Sequence, residues 1–105
     1  MPIHQQSKIV GQHIGKFCAE IDNKDLLFKL RNVKNFKQLV SFFKDLEFEA
    51  LRHEGAAKFT KEFDEALEAI LTNENDWELA RDFIAIYAID KYRSVDYAKN
   101  HDKGE

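Results

Sequence analysis

KDLLFKLRNVKNFKQLVSFFK, residues 24–44, decides how this chain is read. Its apolar members Leu26, Leu27, Leu30, Phe36, Leu39, Val40 and Phe43 recur at helical spacing and must face a core. Six cations, Lys24, Lys29, Arg31, Lys34, Lys37 and Lys44, share the stretch with a single acid, Asp25. A segment apolar on one side and basic on the other can anchor in a bundle and meet a polyanion. Whether its basic side binds anything or is only solvated is the functional question.

Toward the C-terminus, residues 32–35 interrupt the helical pattern and Asn35 reads as an N-cap, with Gln38 completing a weak capping box. In the helix from 36 to about 52, Phe36, Leu39, Val40, Phe43, Leu46 and Ala50 fall within about a third of the wheel. Lys34, Lys37, Ser41 and Lys44 fall roughly opposite, and Asp45, Glu47 and Glu49 make the second half acidic. Phe48 projects near the basic side. His53, Glu54 and Gly55 end this helix, Gly55 suiting a left-handed closing position. A third helix over 58–71 turns Phe59, Phe63, Ala66, Leu67 and Ile70 or Leu71 inward, with Glu62, Asp64, Glu65 and Glu68 outward. Asn75 and Glu78 form a capping-box pair for a fourth helix over 76–92. Its run from Phe83 to Ile89 is apolar on all sides, fitting the centre of a bundle or a half-exposed partner surface. Residues 93–105 read as a polar tail beyond a single domain spanning 1–92.

Toward the N-terminus, residues 4–22 form the first helix, with Ile9 or Val10, Ile14, Phe17 or Cys18 and Ile21 on its buried face. Gly11 and Gly15 lie inside it. Each costs about 1 kcal/mol against Ala, which points to local weakness or to a close neighbouring backbone. His13 between them reads as a boundary residue rather than a metal ligand. Asp22 and Asn23 stop this helix and restart a short one over 24–31. The expected fold is all-α: a compact helical bundle of four main helices plus a short helix.

Composition agrees. In 105 residues, 44% are apolar and thirteen are aromatic, enough for one small core. One Pro and four Gly favour helices over a turn-rich β architecture. No apolar window approaches the length of a membrane span, and MPIHQQSKIV lacks the order of a signal peptide. A single cysteine, Cys18, forms no internal disulfide, so the chain reads as cytoplasmic. The net charge of −3 hides a split: residues 1–44 carry +5, residues 45–82 carry −8, and the remainder is neutral. Such a chain can offer a basic surface to a polyanion and an acidic one to a basic neighbour or its own copy. The alternative is that the charges intersperse once the helices pack.

No constellation for catalysis emerges. A di-iron bundle site needs two Glu-x-x-His pairs and two further inward glutamates, whereas Glu49 and His53 are four apart and have no second pair. Cys18 sits in an apolar stripe, where a thiol is a small hydrophobe. Neither a phosphate loop nor a zinc spacing is present. The chain reads as non-enzymatic, with no cofactor and no metal. Binding remains: Lys29, Arg31, Lys34, Lys37 and Lys44 can track phosphates, with Asn32 and Asn35 as added donors, positioning a strand without reading its sequence. Charge alone does not separate this from a solvated face.

Two stretches add to the reading. Residues 24–36 (KDLLFKLRNVKNF) and 77–92 (WELARDFIAIYAIDKY) resemble the C-terminal helical region of the large subunit of type I-B CRISPR Cascade complexes. In several type I systems that region is also made as a separate Cascade small subunit from an internal start, which Met1 and its short polar lead would suit. The resemblance runs over about two thirds of the chain and rests on general pattern. It implies a helical bundle stacked head to tail with other copies of itself, beside the large and backbone subunits. The implied role is R-loop stabilisation through contacts to the displaced DNA strand or the guide RNA–target DNA hybrid. Functional residues carry over by type only: Lys29, Arg31, Lys34, Lys37, Lys44 and Lys16. The −8 segment departs from a simple basic small subunit and fits a protomer whose acidic face meets a neighbour's basic face. The competing reading is a small protein-interaction or regulatory module that binds through Phe48 and the helix around Ile86, without nucleic acid.

Overall fold

The computed structural model describes residues 2–53 and 59–103, the last three by backbone alone. Among them are five α-helices and no strand: α1 (Ile3–Glu20), α2 (Asp25–Arg31), α3 (Phe36–Arg52), α4 (Lys61–Leu71) and α5 (Trp77–Lys103). A single 3-10 turn, Glu74–Asp76, leads into α5. This is the expected all-α bundle of four main helices and one short one. At about 1.5 Å per residue, the 27 residues of α5 span most of the molecule's 48 Å long axis.

The bundle is built on α1 packed along α5, its most extensive helix pairing. The two run parallel: His4 meets Phe83 and Tyr87, Gly11 meets Ile84 and Ala88, and Lys99 reaches Ala19. The sequence cause is a stripe of small residues at four-residue steps on α1, Ser7, Gly11, Gly15 and Ala19, all buried. A Cβ on Gly11 would lie 2.7 Å from the Ile84 carbonyl oxygen and 2.8 Å from the Tyr87 Cβ. One on Gly15 would strike the Ala88 carbonyl oxygen and lie 2.8 Å from the Lys91 Cβ. Of the two readings of these glycines, close approach of a neighbouring backbone is the one observed, and their missing side chains permit it.

Helix α1 stops at Glu20, two residues before the expected end, in a Schellman closure. Asn23 N–H donates to the Cys18 carbonyl (2.9 Å) and Asp22 N–H to that of Ala19 (3.3 Å), with Asp22 left-handed at φ 54°. The Asn23 carboxamide oxygen then accepts from Asp25 N–H and Leu26 N–H, starting α2 at once. Asn35 caps α3 as expected, accepting from Gln38 N–H at 2.8 Å. Gln38 reaches back to Lys34 N–H rather than to Asn35, so the box is shifted by one residue. Gly55, read as the closing position after α3, lies outside the described residues.

Three further boundaries differ from expectation. The third helix was expected from residue 58; α4 starts at Lys61 because the Thr60 hydroxyl accepts from Phe63 N–H (3.2 Å). Asn75 and Glu78 form no capping box, since both fall within or just after the turn and first residues of α5; Asn73 donates instead to Asp76 at 2.9 Å. Residues read as a polar tail from Arg93 continue α5 to Lys103. Tyr92 is buried and Val95 packs against the core, while Lys99 donates to the Ala19 carbonyl (2.8 Å) and pairs with Asp22 (3.2 Å). These contacts fasten the end of α5 over the end of α1, where helix carbonyls lack intrahelical donors.

The core joins Val10, Ile14 and Phe17 of α1 to Leu26, Leu27 and Leu30 of α2, Leu39, Phe42, Phe43 and Leu46 of α3, the inner face of α4, and Ala80, Ile84 and Ala88 of α5. The buried face of α3 is rotated toward Phe42, absent from the expected stripe, leaving Phe36 and Val40 half-buried at its edge. Arg81 clamps α5 to the end of α2, donating to the Val33 carbonyl at 2.7 Å while its guanidinium lies 5.1 Å from the Trp77 ring centroid. No helix among the described residues is long and apolar enough to cross a membrane.

Candidate nucleic-acid interface

The outer side of α3 is set by its inner one. Burying Leu39, Phe42, Phe43 and Leu46 turns Lys37, Ser41, Lys44, Phe48 and Leu51 to solvent along one stripe, all exposed. Lys34, in the turn before the Asn35 cap, is exposed too. The ammonium groups of Lys34, Lys37 and Lys44 have no acidic partner among the described residues. The stripe is basic in its first half and apolar in its second, where Phe48 keeps 68% and Leu51 76% of its surface exposed.

The other three expected cations lie elsewhere. Lys29 leans from α2 toward α3 and pairs with Asp45 at 2.6 Å, an exposed bridge worth about 0–1 kcal/mol that takes up part of its charge. Arg31 points the other way, into the space between α2 and α5. Lys16 stands on α1 beside a small pocket shared with Phe59, Thr60 and Lys91. The six therefore occupy four places, with Lys34, Lys37 and Lys44 as the group on one surface.

The acidic residues Glu62, Asp64, Glu65 and Glu68 are all exposed on α4. Helix α4 packs on α1 and α5, whereas α3 packs on α2 and α5, with no extensive contact between α3 and α4. Helix α4 therefore lies away from the Lys34, Lys37 and Lys44 stripe, while α3 itself carries Asp45, Glu47 and Glu49 and α4 packs on α1, which carries Lys8 and Lys16.

Between α2 and α5 runs a groove of about 600 Å³, unassigned by the sequence reading. Its apolar surface comes from Leu27, Phe28, Ile89 and Tyr97, with Phe28 57% and Tyr97 63% exposed. Its charges are Lys24, Arg31 and Arg93 against Asp96. Arg31 also borders a second hollow running past Ile86, which is 61% exposed. Phe28 sits off the period of Leu26, Leu27 and Leu30, which was the available signal for an outward ring. Arg93 and Tyr97 fall in the segment that reads as a polar tail, although Ala88, Tyr92, Val95 and Lys99 continue the three- and four-residue steps of α5.

The titratable groups inside the bundle serve packing. His13 donates from Nδ1 to the Ile9 carbonyl (2.7 Å), so Nε2 accepts from the Thr60 hydroxyl (3.1 Å) and ties α1 to the cap of α4. Burial pushes the Cys18 thiol up to about 12, far from the thiolate character a nucleophile needs. The Tyr92 phenol is also pushed up, by burial first and then by the charges of Asp96 and Asp22. Among the described residues no group of three or more His, Cys, Asp or Glu could hold a metal ion.

Comparison with protein-family models, with curated proteins and with solved structures finds no match to this chain.

Proposed function

We propose that this protein is a non-catalytic subunit of a nucleic-acid-binding assembly, of the Cascade small-subunit kind, holding nucleic acid through sequence-independent backbone contacts. The observation that carries the reading is the Lys34, Lys37 and Lys44 surface, three solvent-facing cations that form no ion pair among the described residues. Such a surface offers cations of the kind that sequence-independent backbone binding uses. The separation of the α4 acids from this surface supports stacking of copies, the acidic helix of one against cations of the next, a heterologous contact that repeats. On this reading the partners are other copies of the chain, the large and backbone subunits, the guide RNA–target DNA hybrid and the displaced DNA strand, in the cytoplasm.

Fluorescence anisotropy with labelled single-stranded DNA of two unrelated sequences tests the proposal. The wild type binds both alike, and the triple variant Lys34→Ala, Lys37→Ala, Lys44→Ala weakens both by the same factor. Undiminished affinity in the variant rejects the surface. A second reading draws on Phe48 and Leu51, whose exposure on the same stripe suits a protein partner. It predicts no DNA affinity, and association that Phe48→Asp abolishes.

A further inference from the structure

The α2–α5 groove is separate from the α3 lysines and has the makeup of a ligand site. Its volume of about 600 Å³ falls in the range of small-ligand clefts, roughly 300–1,000 Å³, which are mainly apolar with a few placed charges. Two exposed rings, Phe28 and Tyr97, supply flat apolar surface, while among the described residues lining the groove Lys24, Arg31 and Arg93 outnumber Asp96, with Asp22 and Asp25 in the adjoining hollow. A ligand complementary to both parts is planar and apolar at one end and anionic at the other. Arginine suits a phosphate because its planar fork can donate two hydrogen bonds at once, and an exposed ring accepts the face of any base.

We propose that this groove binds one nucleotide unit, its base against Phe28 or Tyr97 and its phosphate on Arg31 and Arg93, with Lys24 adding charge. The unit is either a free nucleotide or an unpaired residue of a bound single strand. Only the second form rests on the proposed function.

The experiment titrates the full chain with thymidine monophosphate, followed by NMR shifts of the Phe28 and Tyr97 rings, and with a labelled oligothymidine, followed by anisotropy. Phe28→Ala and Arg31→Ala, both at exposed positions, are expected to weaken binding about tenfold each, the first through lost base stacking and the second through lost charge-assisted hydrogen bonds to the phosphate. Asp96→Asn removes the opposing charge and is expected to tighten binding severalfold. Mononucleotide binding that depends on these residues assigns the groove to a free nucleotide; binding of the oligonucleotide alone, with the same dependence, assigns it to a strand. Affinity for both probes unchanged in Phe28→Ala and Arg31→Ala, or no binding of either probe, overturns the inference. Loss of oligonucleotide binding in the triple lysine variant, with Phe28→Ala and Arg31→Ala unaffected, keeps the proposed function and rejects the groove.

Discussion

Replacing Gly15 with alanine sets two effects of known sign against each other. In an exposed helix the change gains about 1 kcal/mol, because alanine loses less backbone freedom. Here the new methyl would meet the Ala88 carbonyl oxygen, the Lys91 Cβ at 2.8 Å and the Tyr92 backbone nitrogen at 3.0 Å. Two of these are backbone atoms of α5, which no rotamer change can move aside. Relief requires α1 and α5 to separate, loosening Val10, Ile14 and Cys18 against Ile84 and Ala88, all fully buried. Overpacking a tight core costs typically ~1–3 kcal/mol and occasionally more, and a backbone collision belongs at the upper end. The expected net loss is about 2 kcal/mol, which lowers Tm by roughly 8–16 °C for a chain of this size. Thermal unfolding followed by circular dichroism reads it, with Gln12→Ala on the exposed side of α1 as a near-neutral control. A Gly15→Ala protein more stable than wild type would refute the close pairing of α1 with α5.

Ser7 Oγ is buried with no hydrogen-bond partner among the described residues, so Ser7→Ala should stabilise by about 1 kcal/mol, read from the urea midpoint at unchanged m. Lys99→Ala leaves the Ala19 carbonyl with only the Asp22 N–H at 3.3 Å and should cost about 1 kcal/mol; a dispensable tail would show no change. Burial pushes the Cys18 thiol of the folded chain up to about 12, against about 8.5 for an ordinary cysteine. Above about pH 9 the unfolded chain therefore binds fewer protons, and stability falls as pH rises, by up to ~1.4 kcal/mol per unit from this group. Cys18→Ala should flatten that decline between pH 9 and 11 and leave the slope contributed by Tyr92, as measured by denaturant midpoints across the range.

The parts of the fold legible in the sequence were those governed by local periodicity. Leu26, Leu27, Leu30, Leu39, Phe43, Phe63, Ala66 and Leu67 are buried where their spacing put them, and Asn35 caps α3 through its own side chain. What escaped depends on tertiary partners. Phe42 is buried because α3 is rotated within the bundle, which no single-helix wheel contains. The polar-looking end of α5 is held by Lys99 reaching the far end of α1, 80 residues away in sequence. The same limit applies to the basic residues: the sequence grouped Lys29, Arg31, Lys34, Lys37 and Lys44, and the resemblance added Lys16, but the packing of α1, α2 and α3 divides them. The groove went unseen because it joins Phe28 to Tyr97 across two helices, one of which had been ended too early.

The salt dependence of single-stranded DNA affinity tests the functional account most directly. Backbone binding makes log K fall with log salt at about 0.7 per contacted phosphate. The account predicts a salt-dependent affinity for the wild type, and a slope shallower by about 2 when Lys34, Lys37 and Lys44 are all alanine. An unchanged slope in that variant, or a wild type with no salt-dependent affinity, would contradict it.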